Sequence, residues 1–90
     1  MNVKFFATFR KITGVPACCI DEPPATLRGA LERLGDRYGP AFREAVFKGA
    51  ELSPLVIVLL NGRNVYFTGG LDTPIRAEDE LAIFPMIAGG

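Results

Sequence analysis

Ninety residues suffice for one hydrophobic core, because a chain of this length buries only about 60% of its unfolded surface; a second domain is excluded. With 49% hydrophobic, 10% aromatic and 22% charged residues, the composition is that of a folded globular protein and not of a disordered one. Lys plus Arg balance Asp plus Glu at ten each, so no positive surplus exists to neutralise a phosphate backbone or an anionic bilayer, which argues against nucleic acid and membrane as partners. The longest apolar run, Leu55 to Leu60, falls far short of the roughly 20 residues of a membrane span. The start, "MNVKFF", lacks the basic region and apolar core of a secretory signal, and the expected location is the cytoplasm.

Residues 2 to 10 alternate, with Val3, Phe5, Ala7 and Phe9 on one side and Asn2, Lys4, Thr8 and Arg10 on the other. This period predicts a half-buried strand whose polar face is broken by Phe6. Gly14 and Pro16 supply a turn into a short second strand at Cys18 to Asp21, paired back as a hairpin. Leu27, Ala30, Leu31, Leu34 and Tyr38 then recur at helical spacing, with Thr26 as N-cap, Gly39 as stop and Pro40 as a barrier to continuation. Gly29 inside this helix costs about 1 kcal/mol relative to alanine, which suits a site where another backbone comes close. Pro40 opens a second short helix, with Phe42, Ala45 and Val46 inward and Gly49 at its end.

"LVIVLL", residues 55 to 60, is apolar throughout, as in a strand covered on both faces or one whose second face awaits a partner. Asn61-Gly62 follows, the pair that a type I′ hairpin turn favours, and "NVYF" at 64 to 67 is the expected return strand. "TGGLDTP" is a turn-rich connector in which Gly69 and Gly70 read as loop formers, and "ELAIF", residues 80 to 84, is the last strand, ended by Pro85. The predicted class is α+β: a mixed sheet packed on one main helix, with a domain over residues 1 to 84 and an extended tail over 85 to 90. An open sheet face carrying Phe6 and half of residues 55 to 60 would mark a protein interface, unless loops or the second helix cover it.

The chain has no histidine, which removes the commonest general base and metal ligand. Its two cysteines, Cys18 and Cys19, are adjacent, so they disfavour a disulfide and read as strand residues, with a reactive thiol as the alternative; no metal site is expected. Glu78, Asp79 and Glu80 read as a solvated turn, with a catalytic carboxylate pair unsupported. No phosphate-cradling glycine motif is present. Side-chain catalysis is thereby disfavoured, and attention passes to the last residues. The sequence closes on Ala88, Gly89 and Gly90. A tail without side chains can enter a channel too narrow for other residues, and it leaves the α-carboxylate as the reactive group at its tip. A carboxylate needs activation before a nucleophile can attack it, so such a tail requires an ATP-using partner.

Four stretches give this ending a context: "FFATFRKITG" at 5 to 14, "LNGRNV" at 60 to 65, "GGLDTPI" at 69 to 75 and "DELAIFPMIAGG" at 79 to 90. In their order and spacing the chain resembles the small subunit of molybdopterin synthase and the wider family of ubiquitin-like sulfur carriers. The resemblance implies a β-grasp fold and a carrier that binds no cofactor of its own. It implies that a ubiquitin-activating-type adenylyltransferase, using ATP and Mg, activates Gly90. A sulfur donor protein then converts Gly90 to a thiocarboxylate, and the large subunit of molybdopterin synthase receives the loaded tail. Gly89 would keep the tail slim. Phe6, Val56 and Val58 would form the docking face, and Phe84, Pro85, Met86, Ile87 and Ala88 the partner-contacting stem. Family tails usually read F-P-P-V-[AS]-G-G, and Met86 here replaces the second proline. A sulfur carrier for another pathway, a protein modifier joined to target lysines through Gly90, and an interaction domain with an incidental ending are the competing readings.

Overall fold

The computed structural model describes residues 1–86. The chain runs through β1 (Asn2–Phe5), α1 (Thr8–Thr13), β2 (Ala17–Cys19), α2 (Leu27–Tyr38), α3 (Pro40–Val46), β3 (Phe47–Lys48), β4 (Glu51–Leu52), β5 (Val56–Leu60) and β6 (Arg63–Asn64). Two 3-10 turns, Val65–Phe67 and Gly70–Asp72, precede β7 (Glu80–Pro85). The main sheet has the order β2-β1-β7-β5-β6, with β1 parallel to β7 and every other neighbouring pair antiparallel. Strands β3 and β4 form a separate hairpin.

Alternation along the strands sends Val3, Phe5, Val56, Val58, Leu81 and Ile83 to one face, where all are buried. Helix α2 meets that face with Leu27, Ala30, Leu31 and Leu34, and α3 adds Phe42 and Val46 to the same cluster. The start of α2 is fastened to the segment before β7: Leu27 N–H donates to the Thr73 carbonyl at 2.9 Å and Ile75 N–H to the Ala25 carbonyl at 3.0 Å. Thr26 occupies the N-cap position as expected, although its hydroxyl caps nothing. Asn61 and Gly62 both take positive φ, 51° and 85°, in the tight turn between β5 and β6 that their identities predict.

Four expectations are corrected. Strand β1 stops at Phe5, where the Arg10 Nε–H takes the Phe5 carbonyl at 2.9 Å, and Ala7 turns the chain with φ 51° into α1. One helical turn returns Phe9 to the core, edge-on to Phe42 at 6.0 Å, whereas Ala7 is exposed. A strand and a single helical turn bring Phe9 to the same side, so the alternation located its burial through the wrong element. The return strand after Gly62 is only Arg63–Asn64, because the Asn64 side-chain oxygen accepts the Tyr66 N–H at 3.0 Å and winds the chain into a 3-10 turn. Helix α3 ends at Val46, and Gly49, φ 62°, lies in the turn between β3 and β4. At Gly29 a proline ring comes close in place of a backbone: a Cβ there would lie 2.7 Å from Pro24 Cγ.

Candidate functional site: the open sheet face and the tail root

The face of the sheet opposite α2 carries the second set of alternating residues. Phe84 of β7 lies opposite Ile57 of β5, and Ala82 opposite Leu59 on that strand and Lys4 on β1. Phe6, whose N–H donates to the Ile83 carbonyl at 3.1 Å, stacks on Phe84 with centroids 4.4 Å apart. The Arg10 guanidinium lies over the Phe6 ring, 5.5 Å from its centroid, in a cation–π contact. Phe6, Ile57, Leu59, Ala82 and Phe84 are each half-buried, so neither loops nor α3 cover this face completely.

Two residues expected on the docking face belong elsewhere. Val56 and Val58, at 5% and 0% exposure, point into the core, and Ile57 and Leu59 take the positions assigned to them. An unbroken apolar run has no polar member to set the phase of a two-residue period. The missed signal lay in the neighbour: once Phe84 is outward, the antiparallel register makes Ile57 outward too.

The tail root is tied to the sheet. Pro85 pairs with Val56, and the Met86 N–H donates to the Leu55 carbonyl at 2.9 Å, so hydrogen bonding to the sheet continues past the expected domain boundary at residue 84. Pro85 is half-buried and Met86 exposed. Ile87, Ala88, Gly89 and Gly90 lie outside the described residues.

Other candidate groups have structural partners. Asp79 accepts the Asn61 side-chain N–H at 2.8 Å and the Arg76 backbone N–H at 2.8 Å, while Asn61 Oδ1 accepts the Glu80 N–H at 2.9 Å. Ala77 and Glu78 form the exposed turn that was expected, Asp79 in addition clamps the β5–β6 turn to the start of β7, and Glu80 forms a surface pair with Lys4 at 3.3 Å. Cys18 packs partly against the core, and Cys19 is exposed with its thiol 2.9 Å from Asn2 Oδ1. Burial, followed by its contact with Cys18, pushes the neighbouring Tyr38 hydroxyl above its ordinary pKa. Gly69 and Gly70 take φ of 122° and 58° and shape the second 3-10 turn, where the Thr73 hydroxyl donates to the Gly70 carbonyl at 2.7 Å. Among the described residues no three of the His, Cys, Asp and Glu groups converge as a metal site would require.

The site thus consists of an apolar sheet face that leads to Pro85 and Met86. The ThiS family model matches residues 3–90. The chain belongs to the ThiS family. This ThiS-family chain is 36% identical to small archaeal modifier protein 3 of Haloferax volcanii over 93 residues, covering 100% of the chain and 98% of that protein. It is 30% identical over 90 residues to the molybdopterin synthase sulfur carrier subunit of Haemophilus influenzae, covering 100% and 99%. A chain of the Amycolatopsis orientalis BexX/CysO complex superimposes with a TM-score of 0.84 at 26% identity, over 99% of this chain and 98% of that one. The fold is β-grasp, and the ThiS-family chain falls in the class of ubiquitin-like sulfur carriers and small modifiers.

Proposed function

We propose that this ThiS-family chain carries sulfur on Gly90 as the small subunit of a molybdopterin synthase. The observation that carries the reading is the continuity of the site: the apolar face of Phe6, Phe84 and Ile57 runs directly to Pro85 and Met86, from which the sequence continues as Ile87-Ala88-Gly89-Gly90. An apolar face next to a slim terminus is what a partner needs to hold the domain and draw the tail into a narrow channel. Full-length similarity to a molybdopterin synthase sulfur carrier subunit supports the assignment.

The chemistry follows from the carboxylate. One oxygen of Gly90 attacks the α-phosphorus of ATP on an adenylyltransferase of the ubiquitin-activating type, and pyrophosphate leaves. A sulfide-level nucleophile delivered by a sulfur donor protein displaces AMP and leaves a thiocarboxylate. In the large subunit that sulfur attacks a carbon of the cyclic pyranopterin precursor as a carbon–oxygen bond there breaks and the oxygen leaves; water then hydrolyses the resulting thioester, releasing Gly90 as a carboxylate while sulfur stays on the product, and two loaded chains supply the two sulfurs of the dithiolene. ATP and Mg serve the activating partner, and this chain supplies a consumable nucleophile.

Removing Gly90, or adding one residue after it, is expected to lower dithiolene formation with the large subunit at least a hundredfold. The unfolding transition should be unchanged, because a terminal residue holds little of the core. Retained sulfur transfer in either variant would contradict the proposal. A second reading, modification of proteins through Gly90, is favoured by the 36% identity to a small archaeal modifier protein over the whole chain. Peptides joining Gly90 to a lysine side chain would establish it.

A further inference from the structure

Tyr66 and Phe67 are the most exposed large apolar residues among those described, at 77% and 81%, and they stand edge to face with centroids 5.2 Å apart. The fold does not need them there. Their 3-10 turn is held by buried Val65, by the Asn64 cap on the Tyr66 N–H, and by the 3.1 Å bond between the Thr68 and Thr73 hydroxyls. The two rings wall a groove of about 590 Å³ whose lining also includes Leu71, Ile57 and Met86.

We propose that this groove is a second docking surface for the enzyme that activates Gly90, and that its occupant is an aromatic side chain of that enzyme flanked by a basic residue. The inference rests on the proposed activation of Gly90. Three observations carry it. Ile57 lies opposite Phe84 on the open sheet face and lines the groove as well, so the two surfaces are continuous. Met86, the last described residue, lies in the groove lining, so an enzyme that grips the chain there reaches the groove. The charges are complementary to a base: Arg28, the one cation in the lining, is paired with Asp72 at 3.6 Å and bonded to the Ala50 carbonyl at 2.9 Å, which leaves Glu51 as the carboxylate open to a basic partner. An exposed, pre-positioned aromatic pair over an apolar pocket has the composition of an interface hot spot. The activating enzyme is the fitting owner because sulfur loading and isopeptide formation both begin with the same attack of Gly90 on ATP.

The test is ATP–pyrophosphate exchange by the host's ubiquitin-activating-type adenylyltransferase, with Mg-ATP, labelled pyrophosphate and the full-length chain. The Tyr66→Ser/Phe67→Ser double variant is expected to raise the KM for this chain about tenfold or more, with kcat and the unfolding midpoint unchanged. Glu51→Lys is expected to raise it in the same direction, about fivefold, and it keeps the test valid if the serine pair weakens folding. Exchange by the wild type that is impaired by Phe6→Ala but unaltered in both groove variants would overturn the groove proposal and leave the Gly90 reading intact. A dimer that the serine pair converts to monomer, with unaltered KM, would assign the groove to a second copy and likewise overturn it. No exchange with the wild type would overturn both.

Discussion

Phe6 and Phe84 stack with their planes only 10° apart, joining the residue that follows β1 to the end of β7. The pair fixes the apolar face one residue before β7 ends at Pro85. On the proposed function, Phe84→Ala is expected to weaken binding to the large subunit of a molybdopterin synthase about tenfold or more, as loss of a central aromatic anchor does. Folding stability should fall by only about 1 kcal/mol, because the ring is half-buried. Ile83→Ala, at a fully buried neighbour, should cost about 2–5 kcal/mol of folding stability. Calorimetric titration and urea unfolding of the two variants separate the roles; equal stability losses would deny the distinction.

Gly29 makes a prediction of sign. In an exposed helix Gly→Ala gains about 1 kcal/mol. Here the new Cβ would lie 2.7 Å from the Pro24 ring, a rigid neighbour, and Gly29→Ala is expected to destabilise by about 1 kcal/mol. Adding Pro24→Ala should recover at least half of that loss, as a double-mutant cycle would measure. A stabilised single variant would show that the ring yields freely.

Asp79 is a clamp, and its removal should be felt in folding alone. Asp79→Ala breaks the bonds to Asn61 and to the Arg76 N–H and is expected to cost about 1–2 kcal/mol in thermal or urea unfolding. Thiocarboxylate formation on Gly90 should continue at the wild-type rate below the unfolding range. A loading defect in the folded variant would assign the acidic cluster a chemical role.

Tyr38 predicts an alkaline limit. Burial favours the neutral phenol in the folded state, so its pKa is raised there from the ordinary value of 10.0. The corresponding stability is fully present below the unfolded-state value and is lost as pH rises through the folded-state value. The unfolding midpoint of the wild type should therefore fall above about pH 10, and Tyr38→Phe should flatten that part of the profile. An identical decline in the variant would assign the effect to other groups.

The sequence made legible whatever depended on one residue type in one place. Asn61-Gly62 specified a turn because both residues take positive φ, and the helical stripe from Leu27 to Tyr38 matched α2 to the residue. Part of what failed depended on partners distant in the chain, and part on local turns that overrode an apolar alternation. Val56 and Val58 could not be distinguished from Ile57 and Leu59 until β7 set the register. Phe9 looked like a strand residue because residues 2 to 10 alternate without a break, and nothing in that alternation marks the turn at Ala7 that lets Arg10 reach back to the Phe5 carbonyl. Tyr66 and Phe67 were read as a return strand although Asn64, two residues before Tyr66, offers a local cap, and that cap won over the apolar pattern. The Asp79 clamp likewise required knowing that Asn61 lies beside it.

The central claim is that Gly90 carries sulfur. Its most direct test is an intact-mass spectrum of the full-length chain after incubation with its activating enzyme, Mg-ATP and a sulfide source. The account predicts a mass gain of one oxygen-to-sulfur exchange, localised to Gly90 and absent when Gly90 is deleted. No gain in the wild type, or the same gain in the chain lacking Gly90, would contradict it.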